Sequence, residues 1–303
     1  VTHPVIRPLR AGEEHLFLSL PDPGLLGMAY AGRDFRATLA ARQYRPEWTW
    51  VALRGDRVVA RAAWWAGPDD TEPRTLDWFD IAEGEPADTG AQLLRTAKIS
   101  ADYCLVLPPA WRERPEVRAA AEHRLAAARL AGMTPFVERL RYTWTPDQGL
   151  PERPGRLEFR PAPDDEGMLP ILRAIHEGTH DAHTLRDIAR LGPEAAVHED
   201  LAVLKRYPAP RSWWRTAHTP GGELVGLALP SRNHTGPVVG FIGVVATQRG
   251  HGYGYDLLVE TTHQLVERGA DRIIAETDRT NPAMAAAFTR AGYPITEERV
   301  FWE

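Results

Sequence analysis

Cysteine is nearly absent from this 303-residue chain. Cys104 is the single thiol, so no disulfide can form within the chain, and its setting in Tyr103-Cys104-Leu105-Val106-Leu107 marks a small buried hydrophobe, not a nucleophile. Long apolar runs are missing as well. No stretch approaches the roughly 20 apolar residues that cross a bilayer, and the start, Val1-Thr2-His3-Pro4, has no basic segment followed by an apolar one. Positive charge is not in excess either. A formal balance of -5 leaves no basic footprint for nucleic acid and no polybasic face for a membrane. These absences point to a cytoplasmic enzyme or binding protein. What is present is ordinary for an ordered globular protein: 43% hydrophobic and 25% charged residues, with 26 prolines scattered among periodic segments.

The chain is longer than the usual domain of roughly 100–200 residues, and its two halves resemble each other. Ala131-Gly132-Met133 precedes Glu138-Arg139-Leu140, and Ala291-Gly292-Tyr293 precedes Glu298-Arg299-Val300 at the same spacing. The openings match too, with Ile6-Arg7-Pro8 before Glu13 and Phe159-Arg160-Pro161 before Glu166. In the first half, strands are expected over 48–53, 58–65, 76–81 and 104–107, and Pro115 opens an Ala-rich helix that Gly132 closes. In the second half, strands are expected over 213–218, 224–229, 238–245 and 272–276, with a helix from Asn281 stopped by Gly292. A Pro/Gly-rich stretch over 145–155 suits a linker, so the halves are taken as 1–148 and 156–303. Strands alternating with helices indicate an α/β (α+β) fold with a mixed sheet in each half.

The strongest local signal follows the apolar strand over 238–245. There Arg249-Gly250-His251-Gly252-Tyr253-Gly254 leads into a helix whose Leu257, Leu258, Thr261 and Leu265 share a face, with Gly269 as its stop. Alternate glycines let a backbone approach a ligand closely, and the free N–H groups at a helix start attract a pyrophosphate. Arg249 adds a charge-assisted contact. No Gly-Lys-Ser/Thr follows, which excludes a P-loop, and the glycine spacing is not that of a dinucleotide fold.

Here the chain resembles the GCN5-related N-acetyltransferase family, whose coenzyme A loop reads Gln/Arg-x-x-Gly-x-Gly/Ala and is matched by Arg249, Gly252 and Gly254. Residues 273–277, Asn281-Pro282-Ala283-Met284, Phe288 and Gly292-Tyr293 resemble the strand and Asn-led helix that follow that loop. The resemblance implies two tandem domains, each a mixed, largely antiparallel sheet flanked by helices. It implies acetyl-CoA or another acyl-CoA as co-substrate, held by Val244, Val245, Gln248, Arg249, Gly250, His251, Gly252, Tyr253, Gly254, Asn281 and Phe288. The acceptor is then an amine of a small molecule or peptide, bordered by Glu177, His180 and Asp181, and the protein a monomer or homodimer that needs no metal. Two proton-transfer positions of the family are empty: Phe288 replaces a tyrosine and Val238 a glutamate. Glu276, Asp278 and His234 are the acid/base candidates in their stead. The first half carries Ala82-Glu83-Gly84-Glu85-Pro86-Ala87-Asp88 where its own phosphate loop would be, and its acids repel an anion, so that half is taken as degenerate.

Two other readings stay open. The missing tyrosine and glutamate suit a protein that senses acyl-CoA without transferring the acyl group. His176-Glu177-Gly178-Thr179-His180 matches His-Glu-x-x-His, which on a helix places two histidines on one face for Zn²⁺ with Glu177 as base, and His183 offers a third ligand. Against zinc, Gly178 weakens that helix and the third spacing is not that of metalloproteases.

Overall fold

Glycine and proline punctuate the chain, and the segments between them pair into sheets according to their hydrophobic faces. The computed structural model describes residues 3–233 and 236–303. The chain divides into two compact units, Val1–Glu138 with Glu297–Glu303, and Arg139–Thr296.

The first unit begins with strands β1 (Val5–Pro8), β2 (Thr49–Arg54), β3 (Arg57–Trp65), β4 (Thr75–Ile81) and β5 (Asp102–Leu107). Neighbours are antiparallel except β4 and β5, which run parallel. Its helices are α1 (Glu14–Ser19), α2 (Gly27–Tyr30), α3 (Phe35–Ala40), α4 (Ala87–Ala97) and α5 (Pro115–Leu130). Strand β6 (Pro135–Trp144) then carries the chain into the second unit. There β7 (Glu158–Pro161) is followed by α6 (Asp165–His176), α7 (Ala182–Leu191) and α8 (Pro193–Arg206), then by β8 (Arg215–His218), β9 (Leu224–Asn233) and β10 (Gly236–Val244). Helix α9 (Tyr253–Val266), strand β11 (Ile273–Asp278) and α10 (Pro282–Arg290) follow, and β12 (Ile295–Trp302) returns the chain to the first unit.

Both units have the same strand plan. The first orders its strands β1-β2-β3-β4-β5-β12, and the second β7-β8-β9-β10-β11-β6. The sixth place is antiparallel in each, and the pair before it is parallel. Each sheet is thus completed by the last strand of the other half. Backbone pairing, not chain order, sets the division, so the units differ from the consecutive halves 1–148 and 156–303.

Successive residues of β9 face opposite layers, as the pleat requires. Leu227 and Leu229 pack with Met168, Leu172 and Leu201 of α6 and α8, whereas Ala228 packs with Leu257 of α9. In the first unit the core holds stacked Phe17 and Phe35, with Trp78 edge-on to both. Val300 and Trp302 of β12 belong to that core. No helix among the described residues is long and apolar enough to cross a membrane.

Trp302 is 3% exposed. Its truncation in Trp302→Ala is expected to cost about 3–5 kcal/mol, read as a lower midpoint in urea unfolding; an unchanged midpoint would show that β12 is dispensable.

Candidate active site

In the second unit, pairing of β10 with β11 is confined to Val238↔Ile274. A bulge follows in β10, where its register against β9 shifts between Val238 and Phe241. Past that point the edge of β10 that faces β11 has no strand partner among the described residues. A cleft of about 890 Å³ occupies this gap. Its walls come from the ends of α6 and α8, from β10, from the glycine loop, from the end of β11 and from α10.

Glycines near this cleft are required for three different reasons. A Cβ on Gly226 would lie 1.9 Å from the carbonyl oxygen of Gly243, and one on Gly243 would lie 2.7 Å from Ile175, so packing demands both. Gly250 and Gly252 have φ of +84° and +76°, a region that L side chains rarely adopt. Gly254 differs from both groups. It lies in the first turn of α9, without positive φ, and the nearest atom to a built Cβ is Met284 Sδ at an ordinary 3.6 Å. The chain therefore does not need glycine there; the cleft gains the space. The first turn of α9 also leaves N–H groups without intrahelical acceptors, and successive left-handed and helical residues gather such groups into an anion-binding concavity.

Two arginines hold this loop from behind. Arg249 lines the cleft and also ties the loop to the end of α6: Nη1 donates to the carbonyls of Glu177 at 2.7 Å and Gly178 at 2.8 Å, and Nη2 donates to that of Ile175 at 2.5 Å. These carbonyls lie at and just past the end of α6, the negative end of its dipole. Most of its donors are thus engaged by backbone oxygens. Arg156 donates to the carbonyls of His251 at 3.1 Å and Gly252 at 3.5 Å and pairs with the buried Asp256. With these carbonyls turned toward arginine, backbone N–H groups are what the loop has for an anion.

The cleft brings together Val244, Gln248, Gly250, Gly252, Tyr253, Gly254, Asn281, Phe288, Glu276, His180 and Asp181. Val245 is buried at 4% in the core and its N–H bonds to Val225. His251 is exposed, stacked on Tyr253 with centroids 5.5 Å apart, and is not in the cleft wall. Glu177 is exposed outside that wall and acts through its carbonyl. Asn281 caps α10 by accepting from Met284 N at 3.1 Å, and it lines the cleft as well. His234 lies outside the described residues.

The two acids of β11 have different settings. Glu276 lines the cleft, with Oε1 2.8 Å from Arg141 Nη1 and Oε2 3.8 Å from Arg139. Asp278 is 2% exposed and outside the cleft wall. Its Oδ2 accepts from Ala182 N at 2.8 Å, fastening the start of α7, and its Oδ1 lies 3.0 Å from Arg139 Nε. Burial, the largest effect, pushes its carboxyl above the ordinary value, while the Ala182 N–H and Arg139 pull it back. Asp278 thus holds the start of α7 and pairs with Arg139.

The zinc motif does not assemble. Helix α6 ends at His176, Gly178 takes φ +60°, and His176 Nε2 lies 2.6 Å from Asp200 Oδ2, so the two histidines share no helical face. Among the described residues the ligand atoms of Asp181, His183 and Asp278 come within 4.8 Å of one another, and Arg139 already supplies positive charge there.

Sequence patterns did not reveal Arg139 and Arg141, delivered by β6, or Asp200 and Tyr207 of the cleft wall. Phe288 is stacked on Tyr142, with centroids 4.2 Å apart, and the Tyr142 hydroxyl is buried without a partner among the described residues, its phenol pushed up to about 12 by burial. The Tyr293 hydroxyl meets Thr262 Oγ1 at 2.7 Å inside the core. In the first unit the equivalent loop is closed. Glu85 pairs with Arg54 at 3.0 Å and accepts from Thr89, and a Cβ on Gly90 would lie 2.6 Å from Ile81.

Residues 179–293 match the family model described as Acetyltransferase (GNAT) family. A stretch of 61 residues is 34% identical to the mycothiol acetyltransferase of Corynebacterium aurimucosum, covering 20% of this chain and 20% of that protein. The chain is similar in fold to a GCN5-related N-acetyltransferase from Sphaerobacter thermophilus, with a TM-score of 0.62 at 14% identity over 99% of this chain and 94% of that one. It is also similar to the GCN5-related glucosamine N-acetyltransferase region of a fungal multi-domain β-N-acetylglucosaminidase, with a TM-score of 0.57 at 13% identity over 100% of this chain and 38% of that one. At such identities these likenesses bear on the fold.

Removing the guanidinium that fastens the loop to α6, in Arg249→Ala, is expected to lower unfolding free energy by about 2–4 kcal/mol, the range for losing charge-assisted hydrogen bonds. Chemical unfolding checks this, and a change within error would mean that the carbonyls are as well served by water.

Proposed function

We propose, from the match of residues 179–293 to the GNAT acetyltransferase family model, that the protein is an acyl-CoA-dependent N-acyltransferase whose active site is the cleft of the second unit. Gly254 carries this reading. Neither its φ nor its neighbours require a glycine, yet a side chain there would enter the cleft at the start of a helix rich in free N–H groups. The N–H groups over 250–254 bind the pyrophosphate of acetyl-CoA, and the unpaired edge of β10 around Val244 hydrogen-bonds the pantetheine arm, with Asn281 and Phe288 beside it. This orients the thioester toward the wall built by α6, α7 and α8.

An acceptor amine then attacks the carbonyl carbon. A C–N bond forms, the C–S bond breaks with its electron pair leaving on sulfur, and the amine gives up one proton. Glu276 is the carboxylate in the cleft wall for that proton, directly or through a water, and Arg141 orients it. Arg139 and Arg141 also keep the carboxylate in place between turnovers. Phe288 and Val238 lack proton-transfer chemistry, which favours a second reading in which acyl-CoA is bound without transfer.

Calorimetry with acetyl-CoA separates these cases. Wild type is expected to bind one equivalent and, with an amine library, to release free thiol; binding without thiol release supports the sensor, and no binding to folded protein removes both. Gly254→Val is expected to keep the thermal midpoint and to weaken acetyl-CoA by more than about tenfold; equal affinity would refute the role given to the loop. Glu276→Gln is expected to lower turnover by about a hundredfold with acetyl-CoA affinity kept, and normal turnover would remove Glu276 as the base.

A further inference from the structure

Charges on the acceptor wall are unevenly balanced. Arg139 is engaged by Asp278 and Glu276, Arg249 by the carbonyls ending α6, and the Arg290 guanidinium carbon sits 3.9 Å from the Tyr255 ring centroid. Asp181 spends one oxygen on capping α7, accepting from Thr184 N at 2.9 Å, and lies 4.0 Å from Arg139. Asp200, on α8, has an imidazole for its partner: His176 Nε2 at 2.6 Å. Both members of this pair line the cleft. His176 is 8% exposed, while the Asp200 side chain keeps 22% of its surface open.

A carboxylate so close to Nε2 draws the ring proton to that nitrogen, leaving Nδ1 as a bare lone pair. Nδ1 is buried and has no hydrogen-bond partner among the described residues. Nδ1 is closed off, so what the pair offers the cleft is the partly open Asp200 carboxylate, an acceptor that suits a ligand bringing donors and positive charge. Val203 and Leu204 continue the same wall with apolar surface suited to methylene groups.

Resting on the acyltransferase reading, we propose that Asp200 is the specificity-determining residue for the acceptor, that it holds an ammonium group, and that His176 positions its carboxylate. An ammonium so held has no free lone pair, because its nitrogen keeps its proton. The attacking nitrogen is then a second one on the same molecule, and the acceptor class is an alkyl diamine, one end at Asp200 and the other at the thioester.

The test titrates 1,4-diaminobutane into the full chain by calorimetry, free and saturated with coenzyme A, with 1,4-butanediol as the uncharged control. Wild type is expected to bind the diamine at one site and to ignore the diol. Asp200→Asn is expected to weaken the diamine by about tenfold while thermal midpoint and acetyl-CoA affinity stay at wild-type values. His176→Gln, which keeps a donor toward Asp200, is expected to retain diamine affinity, and His176→Leu to lose it; if the latter does not fold, the first two variants still decide. Equal diamine affinity in Asp200→Asn, no diamine binding to wild type, or a diol that competes as well overturns the proposal. Failure of acetyl-CoA to bind wild type in the parallel titration overturns the acyltransferase reading instead, and the diamine titration on free protein still reads Asp200.

Discussion

The guanidinium of Arg249 is the contact on which the cleft of the second unit depends. A helix end leaves carbonyls without partners and carries the negative pole of its dipole, and α6 ends where the cleft opens. Arg249, from the loop after β10, meets three of these carbonyls at once. One side chain thus satisfies the end of α6 and ties the glycine loop to it across the cleft. Arg156 secures the other side of the loop through the carbonyls of His251 and Gly252. Positive charge is spent on the backbone oxygens, which turns the amide hydrogens toward the open space.

The first unit shows what the same strand plan becomes without these features. Its parallel pair β4 and β5 is joined by a loop in which Glu85 folds onto Arg54, and α4 lies against the sheet so closely that Gly90 has no room for a methyl group. Buried Arg61 bonds to Asp80 and Asp22, and Arg124 to Asp80, a charge network that fills its interior. Burial of such groups is tolerable because each is paired and hydrogen-bonded. At the turn before α4, Glu83 and Glu85 stand where the second unit has its glycine loop.

Local features were legible in the sequence and non-local ones were not. Glycine at 250 and 252, proline at 115 and 282 and asparagine at 281 act locally, at their own turn or helix end, so the loop and the helix ends could be read directly. Strands β6 and β12 were harder, because Glu138, Arg139 and Arg141, like Glu297, Glu298 and Arg299, look like surface charges. In β6 they meet partners far away in the chain: Arg141 finds Glu276 across 135 residues. The repeated Glu-Arg pairs were seen, yet nothing in their spacing says that each last strand would complete the other half's sheet. The His176-Glu177-x-x-His180 match misled for a local reason, since Gly178 at φ +60° ends the helix that the motif needs.

Charge placement in the cleft follows from which acids are neutralised. Glu276 lines the middle of the cleft and is held and balanced by Arg139 and Arg141, while Asp278, outside the wall, pairs with Arg139 as well. At the loop end, free amide hydrogens and the N-terminus of α9 give a positive pole. At the far end, Asp200 pairs with the His176 imidazole among the described residues and gives a negative one. Under the proposed acyltransferase reading, an anionic ligand and a cationic one entering this cleft are sorted to opposite ends before any side chain reads their shape, and their reactive atoms meet beside Glu276.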